Sequence, residues 1–185
     1  MRQRGYNRLV VSMVLALSAM VAGPGLAAEV IEEYTVEAAR LEKPARVVIE
    51  RWTTTKERAE LLEVLKQNDS KLTLATLETQ ATTGYVQLTD TQRFDLHYAA
   101  HFKMGDDRRL ILVTNRPIRL EGEIQASGAV QTGMTIIDLT IGSDGVGTGV
   151  VVVGADAVID EATGGVRIVT AGGPPSRLGE VRRVE

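Results

Sequence analysis

The chain has 185 residues, 44% hydrophobic and 24% charged, with a net charge of −3 and no cysteine. That length supports one domain with a real core. The acidic balance argues against a nucleic-acid partner, and without thiols neither a disulfide nor a lipid-modified cysteine can form.

The opening stretch, "MRQRGYNRLVVSMVLALSAMVAGPGLAAEV", carries Arg2, Arg4 and Arg8, then an apolar run from Leu9 to Val21, then small residues ending in Ala27 and Ala28. These are the three parts of a secretory signal. The apolar run is shorter than the roughly 20 residues a bilayer requires, and Gly23-Pro24-Gly25 breaks any helix behind it. Residues 1–28 therefore read as a cleaved signal and 29–185 as a single β-rich domain, with no membrane span in the mature chain and a periplasmic or secreted destination. Removing three arginines and no acid takes the net charge from −3 to −6.

Past the signal, "EEYTVEAARLEKPARVVIERWT" holds two alternating runs around Glu42-Lys43-Pro44. Tyr34, Val36 and Ala38 share one side of the first, Val47 and Ile49 one side of the second; this is the pattern of a hairpin. In "TTKERAELLEVLKQND" the period changes. Thr54 with Glu57 has the spacing of a capping box, and Leu61, Leu62 and Leu65 make a helical stripe expected to pack on the sheet near Trp52. "SKLTLATLETQ" reads as a second short helix, capped by Asp69 or Ser70, with Leu74 and Leu77 on its apolar side.

From Gly84 onward the text is β: "GYVQLTD", "RFDLHYAAHFKM", the turn Gly105-Asp106-Asp107, "RRLILVTNR", "PIRLEGEIQ", "MTIIDLTIG", the turn "GSDG", "VGTGVVVVGADAVID", the turn "EATGG", "VRIVTA" and "RLGEVRRV". Glycine and aspartate recur at the breaks because hairpin turns need residues that tolerate positive φ. The expected fold is mainly β (α+β), an antiparallel sheet, sandwich or barrel-like, with one or two short helices inserted after the second strand. "ASGAVQTG" (126–133) and "AGGPPS" (171–176) read as surface connections. Aromatic residues make up 4% of the chain, too few for the two girdles of an outer-membrane barrel.

"FDLHYAAHFKM" contains both histidines. Written as an unbroken strand it places Phe94, Leu96, Tyr98, Ala100, Phe102 and Met104 on one face, and Asp95, His97, Ala99, His101 and Lys103 on the other. Residues four apart in a strand lie roughly 13 Å apart, so His97 and His101 cannot easily share a metal. Asp95 and His97 could supply two ligands, with a third from a neighbouring strand. A solvated outer face, with both histidines titrating near about 6.5, is the plainer reading. "GTGVVVVG" lacks the Lys-Ser/Thr of a phosphate loop, so close sheet packing at Gly147, Gly149 and Gly154 explains it better. Asp138 shares a face with Met134 and Ile136, either exposed or beside a partner such as Arg116.

Taken in order, "VVIERWTT", "ERAELLEVLK", "GYVQL", "RFDLHYA", "RRLILVTNRPI" and "RLGEVR" resemble a group of small exported bacterial proteins with no assigned function. The resemblance spans about Arg46 to Arg182 and is weakest between Arg119 and Gly133. It implies export and a single β-rich domain, and it brings no catalytic or cofactor-binding residues. The leading expectation is thus a non-enzymatic exported domain that binds a protein or envelope partner and calls for no cofactor. The alternatives are a metal-assisted hydrolase using the Asp95/His97 face, and a lipocalin-like carrier of a small apolar ligand. Against the carrier, inward candidates such as Ile49, Leu110, Leu112, Leu139 and Val152 are interlocking aliphatics, which predicts a packed core with no cavity near the ~300 Å³ of small ligand sites.

The exported product is expected to begin at Ala28 or Glu29. N-terminal sequencing checks this, and Met1 still attached in a membrane fraction would contradict it.

Overall fold

The computed structural model describes residues 29–38, 41–118, 133–159, 166–170 and 175–185. Strands β1 (Glu32–Val36) and β2 (Ala45–Ile49) come first, followed by helices α1 (Thr55–Leu65) and α2 (Ser70–Thr79). Then come β3 (Gly84–Gln87), β4 (Arg93–Met104), β5 (Asp107–Thr114), β6 (Met134–Ile141), β7 (Val146–Ile159), β8 (Val166–Thr170) and β9 (Ser176–Val184). The expected signal segment, most of "PIRLEGEIQ" and of the two surface connections, and the "EATGG" turn lie outside the described residues.

All pairings are antiparallel. From β1 to β7 each strand pairs with the next; β9 then lies between β7 and β1 and closes an eight-stranded barrel. The 14-residue β7 outruns this closure. Its start, Val146 to Val151, pairs with β9, while Ala155–Ile159 pairs with β8 in a hairpin that extends beyond β6. Turn chemistry agrees with the register. Met104 faces Asp107 across the two-residue turn Gly105-Asp106, where Gly105 takes φ 66°, as a II′ turn demands of its first central residue. In β7 a side chain at Gly147 would put a Cβ 2.0 Å from the Thr140 carbonyl oxygen, so the strands can approach this closely only with glycine there.

An eight-stranded barrel is just wide enough for its own side chains to fill. The inner face supplies Tyr34, Val47, Ile49, Val86, Leu96, Leu110, Leu112, Leu139 and Val181, each buried. The outer wall carries ion pairs such as Arg46–Glu33 and Arg109–Asp138. An apolar inside with a charged outside is the reverse of a lipid-facing barrel. No described helix is long and apolar enough to cross a membrane.

The helices pack on the outer wall. At α1 the capping box is complete: Glu57 N–H donates to Thr54 Oγ1 (3.2 Å) and Thr54 N–H donates to Glu57 Oε2 (2.8 Å). Arg51 grips the same carboxylate with two bonds of 2.9 Å, and this guanidinium, helped by Thr54, holds the Glu57 pKa down at about 2. Asp69 caps α2 by accepting from the Lys71 and Leu72 N–H groups. Leu61 and Leu77 then join Val113, Met134, Ile136, Val152 and Ala155 in a second apolar cluster outside the barrel. Two expectations are corrected here. The α1 stripe buries Leu61 and Leu65 but leaves Leu62 37% exposed, and Trp52 packs with the barrel interior, away from this stripe.

A further correction concerns β4. Leu96 faces Thr114 but Tyr98 faces Val113, so one extra residue is accommodated at His97 as a β-bulge. The alternation changes phase there. Phe94 and Leu96 point inward before the bulge; Ala99 and His101, opposite Leu112 and Leu110, point inward after it, and Tyr98 and Phe102 turn to the outer wall. The ladder is completed from outside: Thr53 and Ala99 exchange two bonds of 2.9 Å, and Thr83 donates through N–H and hydroxyl to the Leu96 carbonyl.

Leu61→Ala should destabilise by about 2–4 kcal/mol and Leu62→Ala by less than about 1, because only the first vacates a closed cluster. Urea midpoints of the two variants check this; equal losses would mean that α1 is rotated from the orientation described.

Candidate functional site

Three places gather polar or apolar groups of interest: the polar side of β4, one mouth of the barrel, and the outer wall under the helices. On β4, Asp95 lies 3.5 Å from Arg93 Nε, and His97 Nδ1 lies 3.2 Å from the Gln80 carbonyl oxygen at the end of α2. No third His, Asp or Glu joins them among the described residues. His97 and His101 are also separated by the bulge, with His101 on the inner face.

At the mouth, Glu32 is the centre. Its side chain is 8% exposed and accepts from Tyr34 Oη (2.7 Å) and Arg108 Nη1 (2.5 Å), with Arg183 at 3.8 Å. Burial, reinforced by the Glu32 carboxylate, pushes the Tyr34 phenol well above its ordinary pKa, so it remains a donor. Arg108 also lies 5.1 Å over Trp52, whose ring is 4.7 Å from that of His101. Partial desolvation and then the Arg108 charge push the His101 pKa below 6.5, which corrects the expectation of an unperturbed histidine. These groups satisfy one another and close the mouth. Inside, the cavity between Val36, Leu88, Ile118 and Val151 is about 30 Å³, and buried aliphatic side chains pack around it.

The outer wall is different. Asp138 sits there beside Met134 and Ile136 and takes both bonds of the Arg109 fork (2.9 and 2.6 Å), so its partner is Arg109 rather than Arg116. Next to this pair lies a groove of about 300 Å³, at the lower end of small-ligand sites. Leu61, Leu62 and Leu65 of α1 form one bank; Phe102, Ile111, Val113 and Ile136 form the floor; Val166 and Ile168 of the β7–β8 hairpin form the far bank. Leu62, Phe102, Val166 and Ile168 remain substantially exposed, which makes this an apolar surface rather than a sealed void.

The groove holds two cations. Arg109 is neutralised by Asp138. Arg58, on α1, lies 5.7 Å over the Phe102 ring, and its buried Nε has no hydrogen-bond partner among the described residues. Tyr98 is also in the lining; burial raises its pKa, opposed by the nearby Arg58 charge, and its phenol therefore carries its proton at neutral pH.

Comparison with protein-family models, with curated proteins and with solved structures finds no match to this chain.

The cavity between Val36 and Val151 inside the barrel is thus about 30 Å³, while a space of about 300 Å³ exists on the outer wall. Its residues could be placed on apolar faces in the sequence but not brought together, because they come from α1, α2 and five different strands. One signal was present: "VRIV" has apolar residues on both faces of a short strand, so a single buried side cannot account for it.

His101 should titrate below 6.5 by NMR, and Arg108→Ala should return it part of the way. Because the folded pKa is depressed, the neutral ring's contribution to stability is present above about pH 6.5 and is lost as pH falls through the folded value. A midpoint at or above 6.5 would contradict the inward placement.

Proposed function

We propose that the mature chain is a non-enzymatic exported binding protein, and that it binds through the groove between the helices, the outer wall and the β7–β8 hairpin. The observation that carries this is the groove itself: about 300 Å³, walled by aliphatic and aromatic side chains from separate elements, with the Arg58 guanidinium, which no carboxylate pairs among the described residues, in its lining. Small-molecule sites have this composition, apolar walls with a few polar groups that orient the ligand. Export is supported by the Arg2–Ala28 segment and by the resemblance to small exported bacterial proteins.

This is a carrier reading with the ligand moved from the inside of the sheet to its outer wall. The packed interior supports that move, and so does the exposure of Val166 and Ile168, side chains that lose water contact when the groove fills. The Asp95/His97 hydrolase gains no comparable support: Asp95 faces Arg93, and His97 Nδ1 faces a main-chain carbonyl.

An apolar dye that brightens on burial should bind the native protein saturably, one to one. Ile168→Asp should abolish the signal while leaving the melting temperature within a few degrees, since Ile168 is 38% exposed. A dye that stays dark until the protein melts would overturn the binding reading.

A further inference from the structure

We propose that the occupant of the groove is a single-chain fatty acid anion of medium length, with its carboxylate on Arg58 and its chain between Leu62, Phe102 and Ile168; this rests on the groove being the binding site. Charge complementarity is the first argument. Asp138 already neutralises Arg109, so the cation left to orient a ligand in the lining is Arg58. Arg58 is half-buried beside the Phe102 ring, and no carboxylate pairs with it among the described residues.

The head group follows from the donor geometry. A guanidinium presents pairs of N–H donors in a planar fork that matches a carboxylate. Tyr98, protonated and part of the same lining, adds a neutral hydroxyl donor where a second acidic group would have repelled an anion.

Size argues for one chain. A methylene needs about the volume of a liquid water, ~30 Å³, so the groove takes on the order of ten chain atoms. A two-chain phospholipid does not fit. The walls are aliphatic, Leu61, Leu65, Ile111 and Val113 among them, which suits a saturated chain.

The test uses the mature full chain and displacement of the groove-bound dye. Decanoate should displace it one to one, at least tenfold more tightly than decanol and with no displacement by decyltrimethylammonium. Arg58→Met, which keeps the stem over Phe102, should bring decanoate down to the affinity of decanol and leave decanol unchanged. Decanoate and decanol binding equally to the wild type would overturn the anion assignment while the groove remains a binding site. Dye binding without displacement by any ten-carbon chain would overturn the ligand class, and loss of dye binding itself would remove the binding reading beneath it. Displacement by phosphatidylglycerol vesicles but not by dissolved decanoate would also overturn the proposal, in favour of a membrane surface.

Discussion

Closure of the barrel is the constraint on which the rest depends. By lying between β7 and β1, β9 joins the two ends of the sheet and encloses a space that the strands' own side chains line. Tyr34, Leu96, Leu110, Leu112 and Leu139 interlock there, and the Glu32–Arg108–Trp52 cluster seals one mouth. With the interior full, every other apolar surface the chain makes must be placed outside. The leucines of α1 and α2 have one sheet to bury against, its outer wall, and the groove is the part of that wall they leave uncovered.

The bulge at His97 links these two surfaces. Without the extra residue, Tyr98 and Phe102 would point into an interior with no room for them, and Ala99 would point out. With it, the small Ala99 fits against Leu112 while the two large rings go to the wall, where Phe102 meets Arg58. The local loss of ladder bonds is compensated by Thr53, which donates to and accepts from Ala99. The same segment leads into the Thr54 cap, so the irregularity in β4 and the start of α1 are held by adjacent residues.

Polar satisfaction separates the mouth from the groove. At the mouth, Glu32 has Tyr34, Arg108 and Arg183 around it, and the charges close on themselves. In the groove, Arg109 is answered by Asp138, but the buried Nε of Arg58 has no partner among the described residues. A folded protein rarely leaves such a donor unused.

The described strands, the turns at Gly105-Asp106 and 142–145, and both helix caps could be read from local chemistry. Thr54 with Glu57 and Asp69 before Ser70 satisfy free N–H groups within one turn, and period-two runs such as "TIIDLTI" separate Ile137 and Leu139 from Ile136 and Asp138 by the pleat alone. Barrel closure, the bulge and the groove depended on tertiary structure. An inserted residue in a strand has no composition of its own; it shows only when Leu96 and Tyr98 are set against Thr114 and Val113. The Asp138 partner had to wait for the register that brings Arg109, not Arg116, beside it. The groove joins residues from Arg58 to Ile168, and such a meeting is decided by which strands pair, a long-range choice that local propensity does not encode.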